Sequence, residues 1–208
     1  MKTLKTLAIL LSVLSAAASA EIITGNEINK DRNAVSVNYF SSSNDFTLTT
    51  TTGNKEVESD VSNDSSGFNI IYTNQNRSFN TYFGYQYESF DEGIYDLDNN
   101  ALHSIVVGME KQFPITQEFS FDLRSVFSTG FMTIDNTIYN SSIAAALGLK
   151  AGVGVSYEFA KGFGVQLGAD YQYRYWTPVE ILFNGNKVTE IERADTGVII
   201  SLGIKKSF

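Results

Sequence analysis

The chain has 208 residues, a formal net charge of −8, no cysteine, 13% aromatic residues and a mean hydropathy of −0.09. Without cysteine there is no disulfide and no cysteine-linked lipid anchor, and near-zero hydropathy excludes a bundle of membrane helices, each needing about 20 mostly apolar residues. The acidic balance argues against nucleic acid as a partner.

The chain opens Met1-Lys2-Thr3-Leu4-Lys5, runs apolar from Leu7 to Leu14, and reaches Ala18-Ser19-Ala20. A positive start, a short apolar run and an A-x-A site read as a secretory signal peptide over residues 1–20. Cleavage after Ala20 removes Lys2 and Lys5 and makes the mature chain more acidic. Residues 21–32 are polar and unpatterned, and are expected to form a periplasmic tail.

From residue 33 the chain alternates. Val35, Val37 and Tyr39 stand against Ser36, Asn38 and Phe40, and the pattern resumes as Phe46, Leu48, Thr50 and Thr52. The change of parity predicts a bulge near Ser41–Asn44, and Gly53-Asn54 predicts a tight turn. An acidic run, Lys55–Ser66, returns to a second strand with Phe68, Ile70 and Tyr72 outward. Asn74–Arg77 reads as a turn. The third strand is Phe79–Glu88, followed by a polar loop Phe90–Asn100 with acids at Asp91, Glu92, Asp96 and Asp98. The fourth strand is Ala101–Phe113, with Ile105, Val107 and Met109 on one face. After a turn at Pro114–Glu118, the fifth sets Phe119, Phe121, Leu123 and Phe127 against Ser120, Asp122, Arg124 and Val126. Thr129–Ser142 reads as a loop.

Ile143 to Tyr175 carries the longest signal. Ala145, Leu147, Leu149, Ala151, Val153, Val155, Tyr157 and Phe159 alternate with small or polar residues. After Ala160-Lys161-Gly162, Phe163, Val165, Leu167, Ala169, Tyr171, Tyr173 and Tyr175 do the same. Gly148 and Gly152 make a GxxxG, but Lys150 and the polar alternate positions exclude a membrane helix. Period two means strands, and these are roughly two to three times the usual 5–6 residues. Past Trp176 the strand continues to Asn184-Gly185, a two-residue hairpin signal, with Pro178 demanding a bulge or an edge. The last strand runs through Val198, Ile200, Leu202 and Ile204 to Phe208.

The sum is an all-β, eight-stranded antiparallel up-and-down transmembrane barrel over residues 33–208, with short turns on one side and extended hairpins on the other. Two aromatic girdles are expected on its outside. Phe79, Phe113, Phe119, Phe159, Phe163 and Phe208 sit at strand ends near the short turns, and Tyr39, Tyr87, Phe127, Tyr173 and Tyr175 sit toward the other side. Inward positions supply Glu88, Glu110, Asp122, Arg124, Lys150, Glu158, Asp170, Arg174 and Lys205. Eight strands leave a bore just wide enough for side chains to fill, so these are expected to knit into a polar network that plugs it. Counting back from the Phe113/Phe119 turn places Glu110 opposite Asp122, with Arg124 diagonal to Glu110, and puts Lys150 diagonal to Asp170.

A signal peptide, eight amphipathic strands and a terminal aromatic resemble the small eight-stranded outer-membrane barrels: the OmpA transmembrane domain, the OmpX/Ail group and the opacity proteins. The resemblance is one of pattern across the whole mature chain. It implies residence in the bacterial outer membrane among lipid and lipopolysaccharide. It also implies delivery by periplasmic chaperones and recognition of Phe208, Ile204, Leu202 and Ile200 by the barrel-assembly machinery. Lys206 departs from the apolar residue usual there.

Chemistry is sparse. Lipid A deacylases of similar size use a histidine, a serine and an acid, but neighbouring strand residues point to opposite faces, so His103 and Ser104 cannot share a site. Asp91, Glu92, Asp96 and Asp98 are weak candidates for a divalent cation, lacking the glycine and terminal glutamate of an EF-hand loop. No cofactor, resident metal or enzymatic activity is expected. A structural or surface-interaction barrel is the favoured reading; a narrow, porin-like pore is the alternative and a lipid A-modifying enzyme a distant third.

Overall fold

A computed structural model describes residues 32–75, 79–92, 101–134, 143–184 and 186–208; the expected signal peptide and almost all of the expected tail lie outside these. Eight strands follow in order: β1 (Arg32–Thr52), β2 (Lys55–Gln75), β3 (Asn80–Phe90), β4 (Ala101–Pro114), β5 (Phe119–Thr133), β6 (Ile143–Ala160), β7 (Phe163–Phe183) and β8 (Asn186–Ser207). Each pairs antiparallel with its neighbours, and β1 pairs with β8 to close a barrel. At the seam, Asn33 and Phe208 exchange backbone hydrogen bonds of 3.2 and 2.9 Å.

The stagger is large. From Tyr39, paired residues lead through Phe68, Tyr87, His103 and Phe131 to Ala145, and the other way through Leu202 and Leu167 to Val155, ten residues further along β6. Such a shear in eight strands tilts them by roughly 40°. The period-two pattern then sorts every strand: Val37, Ile70, Phe83, Val107, Val153, Leu167 and Leu202 are exposed outward, whereas Asn38, Ser104, Asp122, Lys150, Asp170 and Gln172 are buried inside. An apolar exterior around a polar interior is the inverse of a water-soluble barrel and matches a lipid-facing one.

Turn chemistry fits locally. Gly53 and Gly162 have φ of 60° and 73°, and Asn184 one of 50°, the left-handed backbone that tight hairpins require. Pro178 sits, exposed, in a register shift between Trp176 and Val179, as its missing N–H demands.

Three expectations need correction. No bulge interrupts β1, which pairs without a shift from Arg32 to Thr52. Phe46 therefore keeps the inward parity of Phe40 and is 1% exposed; the apparent parity change is an apolar residue inside the bore. Second, Phe90 ends β3, and Thr129–Thr133 belong to β5, because both segments stay paired. Third, Glu110 lies opposite Arg124, and Asp122 opposite Gln112. The β4–β5 connection aligns Phe113 with Phe121, not with Phe119, which moves every partner by two. The Asn74–Arg77 turn and the tip glycine Gly185 fall partly or wholly outside the described residues.

Candidate functional site

The bore is crossed by ion pairs. Arg174, from β7, reaches Glu88 on β3 at 2.8 Å and Asp195 on β8 at 3.0 Å, with all three side chains at most 3% exposed. Glu88 also accepts from Ser65 (2.8 Å) and Gln86 (3.2 Å), and Gln86 in turn accepts from the Lys150 ammonium at 2.6 Å. Gln172 and Trp176 donate to Asp195, the indole at 2.6 Å. Nearer the chain termini, Arg124 makes a two-point pair with Asp170, at 2.6 and 2.8 Å.

That second pair explains the alternating glycines of the Ile143–Tyr175 stretch. Gly152 is the cross-strand partner of both Arg124 and Asp170. With no side chain between them, the two close across β6. A Cβ at Gly152 would meet Asp170, one at Gly154 would meet Asp122, and one at Gly168 would meet the Arg124 guanidinium. These glycines are the sockets into which neighbouring strands lay long polar chains.

Above Arg174, away from the termini, the bore turns apolar. Phe46, Phe90, Leu102, Met132, Ile134, Ala144, Ala146, Trp176 and Val179 form one buried cluster. Phe90 and Trp176 stack edge-on with centroids 6.1 Å apart, and the Arg174 guanidinium lies 5.2 and 5.1 Å from their ring centroids. Arg193 lies 4.6 Å from the Phe46 centroid. Below the Arg174 floor and beside the Arg124–Asp170 pair, a cavity of about 80 Å³ remains, lined among others by Asn38, Tyr82, Glu110, Arg124, Lys150 and Lys205, room for a few waters.

The predicted lumen residues divide. Glu88, Lys150, Arg174, Arg124 and Asp170 meet in the bonded network; Glu110 accepts from Asn80 at 2.9 Å; Asp122 is buried over Gly154, and Lys205 lines the cavity. Lys150 and Asp170 are diagonal across β6–β7. Glu158 instead accepts from the Gly162 N–H and caps the β6–β7 turn. Asp195, Arg193, Gln86, Gln172, Asn44 and Trp176 are the members the sequence reading passed over. Asp195 and Arg193 carry the signal that was available: both lie at the inward parity of β8, in step with Gly197 and Lys205.

On the outside, Phe68, Tyr87, His103 and Phe131 form a continuous row, with successive centroids 5.4, 5.4 and 5.8 Å apart. His103 points away from the bore and its Nδ1 is 2.6 Å from the Tyr85 hydroxyl. Tyr39, Phe127, Tyr173 and Tyr175 share the outward face with this row. At the other rim, Phe159, Phe163 and Phe208 are exposed, with the Lys206 ammonium 3.9 Å from the Phe163 centroid. Phe79 receives Lys111 (5.0 Å), Phe119 opens β5, and Phe113 is buried against Phe121. Ile200, Leu202 and Ile204 are exposed on the same outer wall. Asp91 and Glu92 are exposed, and Asp96 and Asp98 lie outside the described residues; among those described, no three side chains are placed to hold a metal ion.

Four strands outgrow the barrel. β3 begins its pairing with β2 at Ser65↔Phe90, and β6 meets β7 no further than Ala146↔Trp176. Beyond these points β2, β1, β8 and β7 continue together, with β1 and β8 paired to Thr51↔Glu190. The raised sheet has two faces. Leu48, Val57, Val61, Val179 and Ile191 share the face toward the bore axis, and Asp45, Glu56, Glu58, Asp60 and Glu192 share the other. At its tip Lys187 pairs with Glu180 (2.9 Å) and Glu190 (2.7 Å), and these bonds raise its ammonium above the usual lysine range.

No protein-family model and no curated protein matches the sequence. Among solved structures, the chain is similar to the outer membrane protein OprG of Pseudomonas aeruginosa, at 9% identity over 86% of this chain and 97% of that one, with a TM-score of 0.54. It is also similar to outer membrane protein H (OprH) of P. aeruginosa, at 14% identity over 85% and 99%, with a TM-score of 0.50. At such identities the likeness is one of fold: this is the architecture of the small outer-membrane β-barrels.

Proposed function

We propose that this chain, an outer-membrane barrel by fold, works as a closed barrel that holds its raised sheet outside the cell as a contact surface. The terminal end then faces the periplasm, the apolar wall faces lipid, and the girdles lie at the two interfaces among lipid and lipopolysaccharide headgroups. Phe208, Ile204, Leu202 and Ile200 would be read by the assembly machinery and shielded by periplasmic chaperones on the way.

One observation carries the reading: Arg174 spans the bore to Glu88 and Asp195 beneath packed apolar side chains. The described lumen residues also balance, with Arg124, Lys150, Arg174, Arg193 and Lys205 against Glu88, Glu110, Asp122, Asp170 and Asp195. A balanced interior, crossed by the Arg174–Glu88 and Arg124–Asp170 pairs, has neither the free path nor the one-signed field that a selective pore uses. A narrow pore would need a route past Trp176 and Val179, both 0% exposed. A lipid-acting enzyme has little to draw on, since His103 stands in the aromatic row with a tyrosine as its partner.

Planar-bilayer recordings of the purified, folded protein test closure. The expected result is no steady unitary current; sustained, well-defined openings would overturn it. The contact role is tested on whole cells, where trypsin should reach the sheet tip at Lys55.

A further inference from the structure

Among the described residues the raised sheet ends in two edges with no paired strand, and they differ. The β7 edge above Trp176 is broken by Pro178 and by register shifts at Trp176/Val179 and Ile181/Leu182. Proline and bulges are devices that close an edge to strand addition. The β2 edge from Lys55 to Ser62 has neither. It pairs with β1 without a shift, holds no proline, and has its one lysine beside the turn. Pairing with β3 starts at Ser65, and beyond it Asp91 and Glu92 bond Asp64 and Asn63; among the described residues nothing is paired to the other side of Lys55–Ser62.

The phase of this edge is fixed by Asp64, whose carbonyl accepts from the Asp91 N–H on the β3 side at 2.9 Å. A strand residue points its N–H and C=O to the same side, and successive residues alternate. Ser62, Asp60, Glu58 and Glu56 therefore turn theirs outward, away from β1. Their side chains lie on the acidic face. Val57 and Val61, 63% and 44% exposed, lie on the other.

We infer that the Lys55–Ser62 edge is the docking site for one extended segment of a partner protein, added as a further strand and alternating basic with apolar residues. The backbone ladder supplies register-tolerant affinity, and the two faces supply selectivity: lysine or arginine opposite Glu56, Glu58 and Asp60, and apolar or β-branched residues beside Val57 and Val61. The same charges disfavour a second copy, because two β2 edges would set acid against acid, and the β7 edge is obstructed. This rests on the sheet being a contact surface.

The test uses the mature barrel in nanodiscs and a labelled peptide alternating lysine with valine or threonine, followed by fluorescence anisotropy. Saturable binding is expected, with at least tenfold weaker binding for a glutamate-for-lysine peptide. Two further peptides carry N-methyl groups on alternate residues in opposite phase. Strand addition predicts that one binds and the other does not; equal binding by both means adsorption by charge and overturns the proposal. Asp60→Pro removes an outward N–H that β1 does not use, and should weaken binding at least tenfold while the heat-shifted gel band is kept. If that variant fails to fold, the methylated pair on the wild type still decides. Loss of peptide binding in a barrel that stays closed in bilayers and is cut at Lys55 on cells refutes the docking edge alone. Steady openings refute the closed lumen whatever the peptides do.

Discussion

Arg174 Nη1 and Glu88 Oε2 stand 2.8 Å apart, joining β7 to β3 across the diameter of the barrel. Three strands separate them on either side of the wall, so the bond joins them through the bore. The guanidinium has a second partner in Asp195 at 3.0 Å, so one cation is shared by two buried carboxylates. It also lies 5.2 and 5.1 Å from the centroids of the Phe90 and Trp176 rings, which adds cation–π attraction at a buried site.

Removing that cation is expected to be costly. Arg174→Met leaves Glu88 and Asp195 uncompensated, and breaking a buried pair costs about 3–5 kcal/mol. Urea unfolding of the detergent-folded barrel should show the loss directly. Neutralising the partners as well, with Glu88→Gln and Asp195→Asn, should restore most of it, because the penalty belongs to the stranded charges. A triple variant as unstable as the single one would contradict this account.

The glycine sockets make a second prediction. A side chain at Gly168 falls on the Arg124 guanidinium, so Gly168→Val should displace Arg124 from Asp170. The variant should resemble Arg124→Ala, losing roughly 3 kcal/mol, and the two changes together should cost little more than either alone. Full additivity in a double-mutant cycle would separate the glycine from the ion pair.

The strands themselves were legible because a lipid-facing wall imposes strict alternation, and Ile143–Tyr175 obeys it almost without exception. Pro178 announced its bulge for a reason equally local: a missing N–H. What hid was the apolar plug. Phe46, Phe90 and Trp176 are aromatic residues on the inner face, and a reading that sends apolar residues outward must either invent a bulge, as at Ser41–Asn44, or call a loop, as at Phe90. The Glu110 partner was missed because register across β4–β5 depends on two residues at a turn. Asp195 and Arg193 are read correctly by parity once β8 is known to stay paired beyond Gly197.

Trp176 is the only tryptophan, 0% exposed and hydrogen-bonded to Asp195 at 2.6 Å. The folded barrel should therefore show blue-shifted emission that acrylamide barely quenches. Trp176→Phe keeps most of the packing but removes one of two donors to Asp195 Oδ1, the other being Arg174 Nε at 3.0 Å, a loss of about 1.5–3 kcal/mol for a hydrogen bond to a charged group. Emission typical of a water-exposed indole in the folded protein would place the ring outside the plug.

The two lysines of the sheet tips should differ in reactivity. Lys55 is exposed beside the Gly53 turn, whereas Lys187 is held by Glu180 and Glu190. Because its folded value is raised by those bonds, the order they give the tip is present below the ordinary lysine range and is lost as pH rises through the raised value. Amine acylation followed by mass spectrometry should modify Lys55 first at neutral pH, with the difference shrinking at high pH. Equal rates at neutral pH would show that the carboxylates do not hold the ammonium.

Closure of the bore is built in two storeys, and this fixes what mutations do to current. Arg124→Ala empties part of the lower ionic floor and enlarges the cavity that Arg124 lines, but Trp176, Phe46 and Val179 stay packed above. It should lower heat resistance of the folded band without producing steady openings. Trp176→Ala alone removes the largest plug residue, yet Arg174 still spans the bore to Glu88 and Asp195. The pair Trp176→Ala and Arg174→Ala opens both the apolar cluster and the upper ionic floor along one side, and leaves the Arg124–Asp170 pair below. It should conduct, and two carboxylates left without their cation should make that current cation-selective. Measured as reversal potentials across a salt gradient, openings in Arg124→Ala alone would mean that the apolar cluster does not seal, and a silent double variant would mean that the lower floor suffices.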